Sequence, residues 1–161
     1  MKYAVLGWLI FGLFGCTSKP AGPRVIYLNK LDHEGTVDVN GQYGQGRYRY
    51  ALIDNPPKSL DSLHQVILHY CDSAVNKQEV ETHYIRYYIQ FYRLSDHTKS
   101  YQKGREDFWD LHNDINQELE DYRGEYRYEL CKGDSLHGQW TLEVNSPAGN
   151  KTDTLEKKCQ P

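Results

Sequence analysis

The chain has 161 residues and a net charge of −3, with 19 Lys plus Arg against 22 Asp plus Glu. That length accommodates one domain with a real core. A mildly acidic chain lacks the basic footprint that nucleic-acid binding needs, so that class of partner is excluded.

The N-terminus carries one cation, Lys2, then an apolar run from Ala4 to Phe14, then Gly15-Cys16. This is the pattern of a secretory signal. A spanning helix needs roughly 20 apolar residues, and this run stops short at Thr17-Ser18-Lys19. The junction Leu13-Phe14-Gly15-Cys16 resembles the lipobox of bacterial lipoproteins; Leu13, Gly15 and Cys16 follow the family pattern and Phe14 is bulkier than usual. The resemblance implies cleavage before Cys16 and lipidation of its thiol, which anchors the mature chain to a membrane. Thr17 in the second mature position is similar to lipoproteins passed to the outer membrane, and no acidic cluster follows Cys16. The expected address is the outer membrane, lipid-anchored on its periplasmic face. Residues 1–15 are then a signal peptide, 16–24 a flexible tether holding Pro20 and Pro23, and 25–161 a single α+β domain. Losing Lys2 with the signal leaves eighteen cations against twenty-two anions, a charge of −4.

Residues 25–31 read as a strand rich in β-formers, and 36–39 alternate before Asn40-Gly41, a strong hairpin signal because both residues accept positive φ. Residues 47–53 alternate again, with Tyr48, Tyr50 and Leu52 on one face, until Asn55-Pro56-Pro57 ends the strand. A helix over 59–75 follows, with Leu60, Leu63, Ile67, Tyr70 and Ala74 at helical spacing. Residues 82–94 form the clearest strand, with Ile85, Tyr87, Ile89 and Phe91 on one side. Phe108, Leu111, Ile115, Leu119 and Tyr122 mark a second amphipathic helix ending near Gly124. Residues 126–131 and 139–144 form a hairpin with Trp140, Leu142 and Val144 inward, and 152–155 add an edge strand. This order predicts an α+β fold: a mainly antiparallel sheet with two amphipathic helices packed on one face. The strands at 47–53 and 82–94 flank a helix, so that pair is expected to be parallel.

Three cysteines remain after Cys16, and exported thiols tend to pair. Spacing alone permits any of the three bridges. Cys71 lies on the apolar side of its helix, where a buried thiol is expected. Cys131 ends a strand and Cys159 lies in the tail, so a Cys131–Cys159 bridge that ties down the chain end is the favoured pairing.

No motif identifies an activity. Gly133-Asp134-Ser135-Leu136 spells the signature of GDSL-type esterases, but only 25 residues follow it and the sole later histidine is the adjacent His137. A serine nucleophile needs a base oriented by a third group, and the chain end has no room for that architecture, so a loop is expected. Gly41-Gln42-Tyr43-Gly44-Gln45-Gly46 does not open a helix, so it reads as a turn rather than a phosphate cradle. Seven histidines show no metal-ligand spacing; His64 and His69 diverge around their helix. Asp110, Asp114 and Glu118 make an acidic stripe that reads as a solvated face. No metal site and no cofactor are expected.

The outlying feature is tyrosine, fourteen in all, repeatedly beside arginine. If Tyr48 and Tyr50 point inward with Ile85, Ile89 and Leu130, then Arg47, Arg49, Tyr84, Arg86, Tyr88, Tyr92 and Arg127 share the opposite face, with Glu125 and Glu129. Such a face offers stacking and cation–π contacts to a glycan or partner protein, or simply cross-strand pairing within the sheet. The expected role is a non-enzymatic, lipid-anchored envelope domain that contacts a protein or envelope polymer. The alternatives are a small glycan-binding protein, an envelope hydrolase, or an inhibitor or immunity lipoprotein.

Overall fold

A computed structural model describes residues 22–106 and 119–159. Among these residues seven strands form one sheet: β1 (Arg24–Tyr27), β2 (His33–Val39), β3 (Gln42–Asp54), β4 (Arg86–Arg93), β5 (Tyr122–Leu130), β6 (Gly138–Ser146) and β7 (Gly149–Lys157). Their order is β1-β3-β4-β5-β6-β7, and β2 pairs with the first half of β3 where β1 pairs with the second. β3 and β4 run parallel, as expected, and the other pairs are antiparallel. Two helices, α1 (Leu60–Ala74) and α2 (Lys77–His83), lie in the crossover between them. The chain is α+β, a mainly antiparallel sheet with a few helices. The predicted second amphipathic helix falls mostly outside the described residues, as do Cys16 and the apolar N-terminal run; residues 105–106 and 119–121 are helical. No helix among the described residues is long and apolar enough to cross a membrane.

Local chemistry accounts for most boundaries. The β2–β3 turn is Asn40-Gly41, with φ of 55° and 84°, and the Gly41 N–H donates to Asp38 Oδ1 at 2.7 Å. Gly44 and Gly46 are not part of a longer turn: both lie inside β3, where a Cβ on Gly44 would meet the Ile85 side chain at 2.8 Å. Ser59 caps α1, its hydroxyl accepting from the Ser62 N–H at 3.3 Å. The strand expected at 82–94 is shorter. Asn76 Oδ1 accepts from the Glu79 N–H at 3.2 Å and starts α2, which buries Val80, so the strand begins only at Arg86. The second helix also ends before the predicted Gly124, because Tyr122 already opens β5. Leu119, expected on the apolar side of that helix, is exposed.

The register decides which side chains face which layer. Arg47, Arg49, Ala51 and Ile53 of β3 stand beside Tyr87, Ile89, Phe91 and Arg93 of β4, and Tyr87 and Ile89 stand beside Tyr128 and Tyr126 of β5. This is the face that α1 covers. Leu63, Ile67 and Cys71 of the helix join Ala51, Ile53, Ile89, Phe91, Tyr126, Trp140, Leu142 and Val144 in the main core. Tyr48, Tyr50 and Leu52 belong to the other face, with Tyr88, Gln90 and Tyr92. They are therefore not inward partners of Ile89 and Leu130, as the sequence predicted. The reason is that Ala51 and Ile53 fill the α1 side, and strand alternation sends their neighbours outward. Tyr50 and Leu52 are still buried, in a second cluster with Leu28, Leu31, Tyr92 and Tyr101, where the 3-10 turns Asn29–Leu31 and Thr98–Lys103 close over one end of the sheet.

β5 carries a bulge. The pairing with β4 steps from Phe91↔Gly124 to Tyr92↔Tyr122, so Arg123 has no cross-strand partner there and its guanidinium bonds back to the carbonyls of Glu120 and Tyr122. Gly124, at φ 149°, lets β6 approach: a Cβ there would overlap the Glu143 carbonyl oxygen at 2.2 Å. At the far end of the sheet a disulfide joins Cys131 to Cys159, with Cα atoms 5.5 Å apart across 28 residues. Cys71 is a free, buried thiol.

Gly124→Ala should destabilise the fold by at least about 3 kcal/mol in chemical denaturation, whereas Gly35→Ala, with nothing within 4 Å of its Cβ, should change it by less than about 1 kcal/mol. Comparable small effects at both positions would contradict the close β5–β6 approach. Replacing Cys131 and Cys159 together with serine should cost roughly 3–4 kcal/mol, the closure entropy of a loop this long, measured by the same melts.

Candidate functional site

The seven residues expected to share one Tyr/Arg face divide between two. Arg47, Arg49 and Tyr84 lie on the α1 side, while Arg86, Tyr88, Tyr92 and Arg127 lie on the other. The α1-side group is a hydrogen-bonded network, although Asp32 Oδ1 and Arg47 Nε are buried without a hydrogen-bond partner. The Arg49 guanidinium donates to Tyr27 Oη at 3.0 Å and to Tyr87 Oη at 2.8 Å, sits 4.3 Å from the Tyr27 ring centre, and lies 3.5 Å from Asp32. Tyr27 in turn donates to Asp32. Burial works against the Arg49 charge, but the Tyr87 and Tyr27 hydroxyls outweigh it and hold its pKa above the ordinary value. Arg47 reaches Tyr84 Oη at 3.4 Å, and Tyr84 donates to Glu34 at 2.8 Å. These contacts tie β1, β2 and β3 to β4. Their geometry is that of a polar girdle around a core edge, in which each hydroxyl stabilises a half-buried cation.

On the opposite face the same row runs His33, Tyr48, Tyr88, Arg127 and Thr141 from β2 to β6. His33 stacks on Tyr48 at 4.7 Å, and Tyr48 meets Tyr88 edge-on at 4.5 Å. Tyr92, expected in the accessible face, is 1 % exposed and packs against Tyr101 and Tyr122. It belongs to the second core, because the Thr98–Lys103 turn folds over it.

Towards the disulfide this face becomes a polar cleft of about 690 Å³. Its floor is Arg127 and Glu129 from β5 with Gln139 and Thr141 from β6, which stand opposite one another in register. Lys157 of β7, opposite Gln139, forms one wall, and the Cys131–Ser135 segment with the disulfide forms the rim. Arg86 Nη2 donates to Glu129 Oε1 at 2.5 Å, and the guanidinium pKa is raised: burial opposes its charge and the Glu129 bond prevails. Glu125 lies one pair further along β5, where burial lifts its carboxyl above the usual range although Gln90 donates to it at 3.1 Å and Arg127 stands 3.7 Å away.

The esterase-like tetrapeptide forms the rim turn. Asp134 Oδ1 accepts from the N–H groups of Leu136 and His137 at 2.8 and 3.0 Å, and its other oxygen meets His137 Nδ1 at 2.8 Å. The Leu136 N–H, with His137, holds the Asp134 carboxyl below the usual range. This is a side-chain-capped turn. The remaining histidines are dispersed: His64 Nε2 sits 3.0 Å from Asp153 at the α1–β7 contact, His83 bonds the Glu79 carbonyl, and His97 packs on Tyr101. Among the described residues no group of His, Cys, Asp and Glu converges as a metal site. Asp110, His112, Asp114 and Glu118 lie outside them. Gln139, Thr141, Lys132 and Lys157 escaped the sequence reading as site residues. The polar parity of Gln139 and Thr141 beside Trp140 and Leu142 was a usable signal; the register that brings Lys157 to them was not.

No protein family, curated protein or solved structure matches the chain.

Because burial raises the folded-state pKa of Glu125, its charge opposes folding once pH exceeds the unfolded carboxylate value near 4.3. Glu125→Gln should therefore be more stable than the parent at pH 7, and the gap should close by about pH 4. Equal gaps at the two pH values would contradict the burial of this charge.

Proposed function

We propose that the chain is an exported, lipid-anchored binding domain of the cell envelope, acting without catalysis through the polar cleft beside the Cys131–Cys159 disulfide. The observation that carries this reading is the disulfide at the rim of that cleft. A bridge of this kind persists in an oxidising compartment and not in a reducing cytosol, which agrees with an export signal at residues 1–15 and lipidation at Cys16. The outer membrane, at its periplasmic face, is the proposed address.

The topology suits an anchored binder. The described chain enters the sheet at Arg24, which pairs with Asp54 at one end of β3. Arg24 lies eight positions after Cys16, an extended reach of at most about 29 Å. The cleft lies at the other end: Glu129 aligns with Arg86, and Arg86 with Gly46, eight residues and about 26 Å along β3 from Asp54. An anchor at one end would leave the cleft about 26 Å from the point where the tether joins the sheet. The rim is stiffened by the disulfide, and Asn40 Nδ2 at the tip of the β2–β3 hairpin reaches the Leu130 carbonyl at 3.4 Å. A preformed site loses less entropy on binding.

Cells expressing the full-length chain and fed a clickable palmitate analogue should yield a labelled protein that sediments with membranes. Cys16→Ala should abolish the label and release the protein. Retained label in that variant would overturn the anchor assignment.

A further inference from the structure

The charge balance of the cleft points to its ligand. Among the described residues two carboxylates line it, and both are engaged: Glu129 accepts from Arg86 Nη2 at 2.5 Å and Nε at 3.0 Å, while Asp134 is held by His137 and by two backbone N–H groups. Three cations among the described residues line it as well. Arg127 is exposed, and Glu125 approaches it only to 3.7 Å from the sheet interior. Lys132 and Lys157 are exposed, and among the described residues no carboxylate stands within ion-pair distance of either. Three weakly compensated cations thus share one concave site in a chain whose net charge is −3. Concavity concentrates their field on whatever enters.

We propose that the cleft binds a carboxylate-rich, extended peptide segment of a partner protein; this rests on the binding-domain reading above. Guanidinium and ammonium groups spaced along the floor and wall recognise successive carboxylates. Between them Thr141 and Gln139 present a hydroxyl and an amide to the peptide backbone. Among the described residues the lining contains no aromatic ring, so it lacks the flat apolar surface on which a sugar ring stacks, and this favours a peptide over an acidic glycan.

The test uses the full-length, lipidated chain in detergent and a fluorescein-labelled hexaglutamate peptide, followed by anisotropy. Saturable binding is expected, weakening as salt is raised. Arg127→Gln combined with Lys157→Gln should weaken it at least about tenfold. Lys58→Gln combined with Lys99→Gln, which removes the same charge away from the cleft, should leave it within about twofold. The absence of saturable binding, equal losses in the two double variants, or tighter binding of a tetragalacturonate competitor than of unlabelled hexaglutamate would each overturn the proposal. Palmitate labelling is read independently, so failure of the ligand assignment and failure of the anchor assignment are distinguishable.

Discussion

The parallel register of β3 against β4 is the constraint from which the rest of this structure follows. Tyr48 stands opposite Tyr88, and Ala51 opposite Phe91. Because strand side chains alternate, this one choice sends Ala51, Ile53, Ile89 and Phe91 beneath α1 and builds the main core. It also commits Arg47 and Arg49 to the same side. A half-buried arginine is tolerated only with partners, and Tyr27, Asp32 and Tyr87 supply them. Tyr27, Tyr84 and Tyr87 are thus a solution to burial: their phenol bodies pack while their hydroxyls bond the guanidinium groups of Arg47 and Arg49.

The opposite face is divided. At the end where β1 enters, Leu28, Leu31, Leu52, Tyr92 and Tyr101 form a second apolar cluster. At the other end the face is polar, and the disulfide holds the C-terminal segment and the rim turn around a cleft. One end of the sheet therefore carries packing and the chain's point of entry, while the other carries charge and open volume. That separation is what the proposed binding at a distance from an anchor would use.

Much of this was legible from patterning. The Asn40-Gly41 turn, the α1 stripe of Leu63 and Ile67, the inward Trp140, Leu142 and Val144, and the parallel strand pair each follow from a local rule of turn chemistry or periodicity. α2 was missed because a seven-residue helix shows barely two turns of periodicity, and the β-rich residues after it extend the apparent strand backwards. The face assignment of β3 failed for a different reason. Both of its faces are buried over part of their length, Tyr50 and Leu52 on one side and Ala51 and Ile53 on the other. Alternation then gives no inward direction, and the aromatic set looked more apolar than the set carrying the arginines. The cleft was out of reach for the same physical reason: it depends on which pairs of strands meet in which register, information that no single segment holds.

The facial split of the arginines is the central claim, and chemical footprinting of the native protein tests it directly. With phenylglyoxal and peptide mass mapping, Arg127, whose side chain is 44 % exposed, should react readily, while Arg49, 13 % exposed behind its tyrosines, should react only after denaturation. Arg49 reacting as fast as Arg127 in the native state would contradict the register on which this account is built.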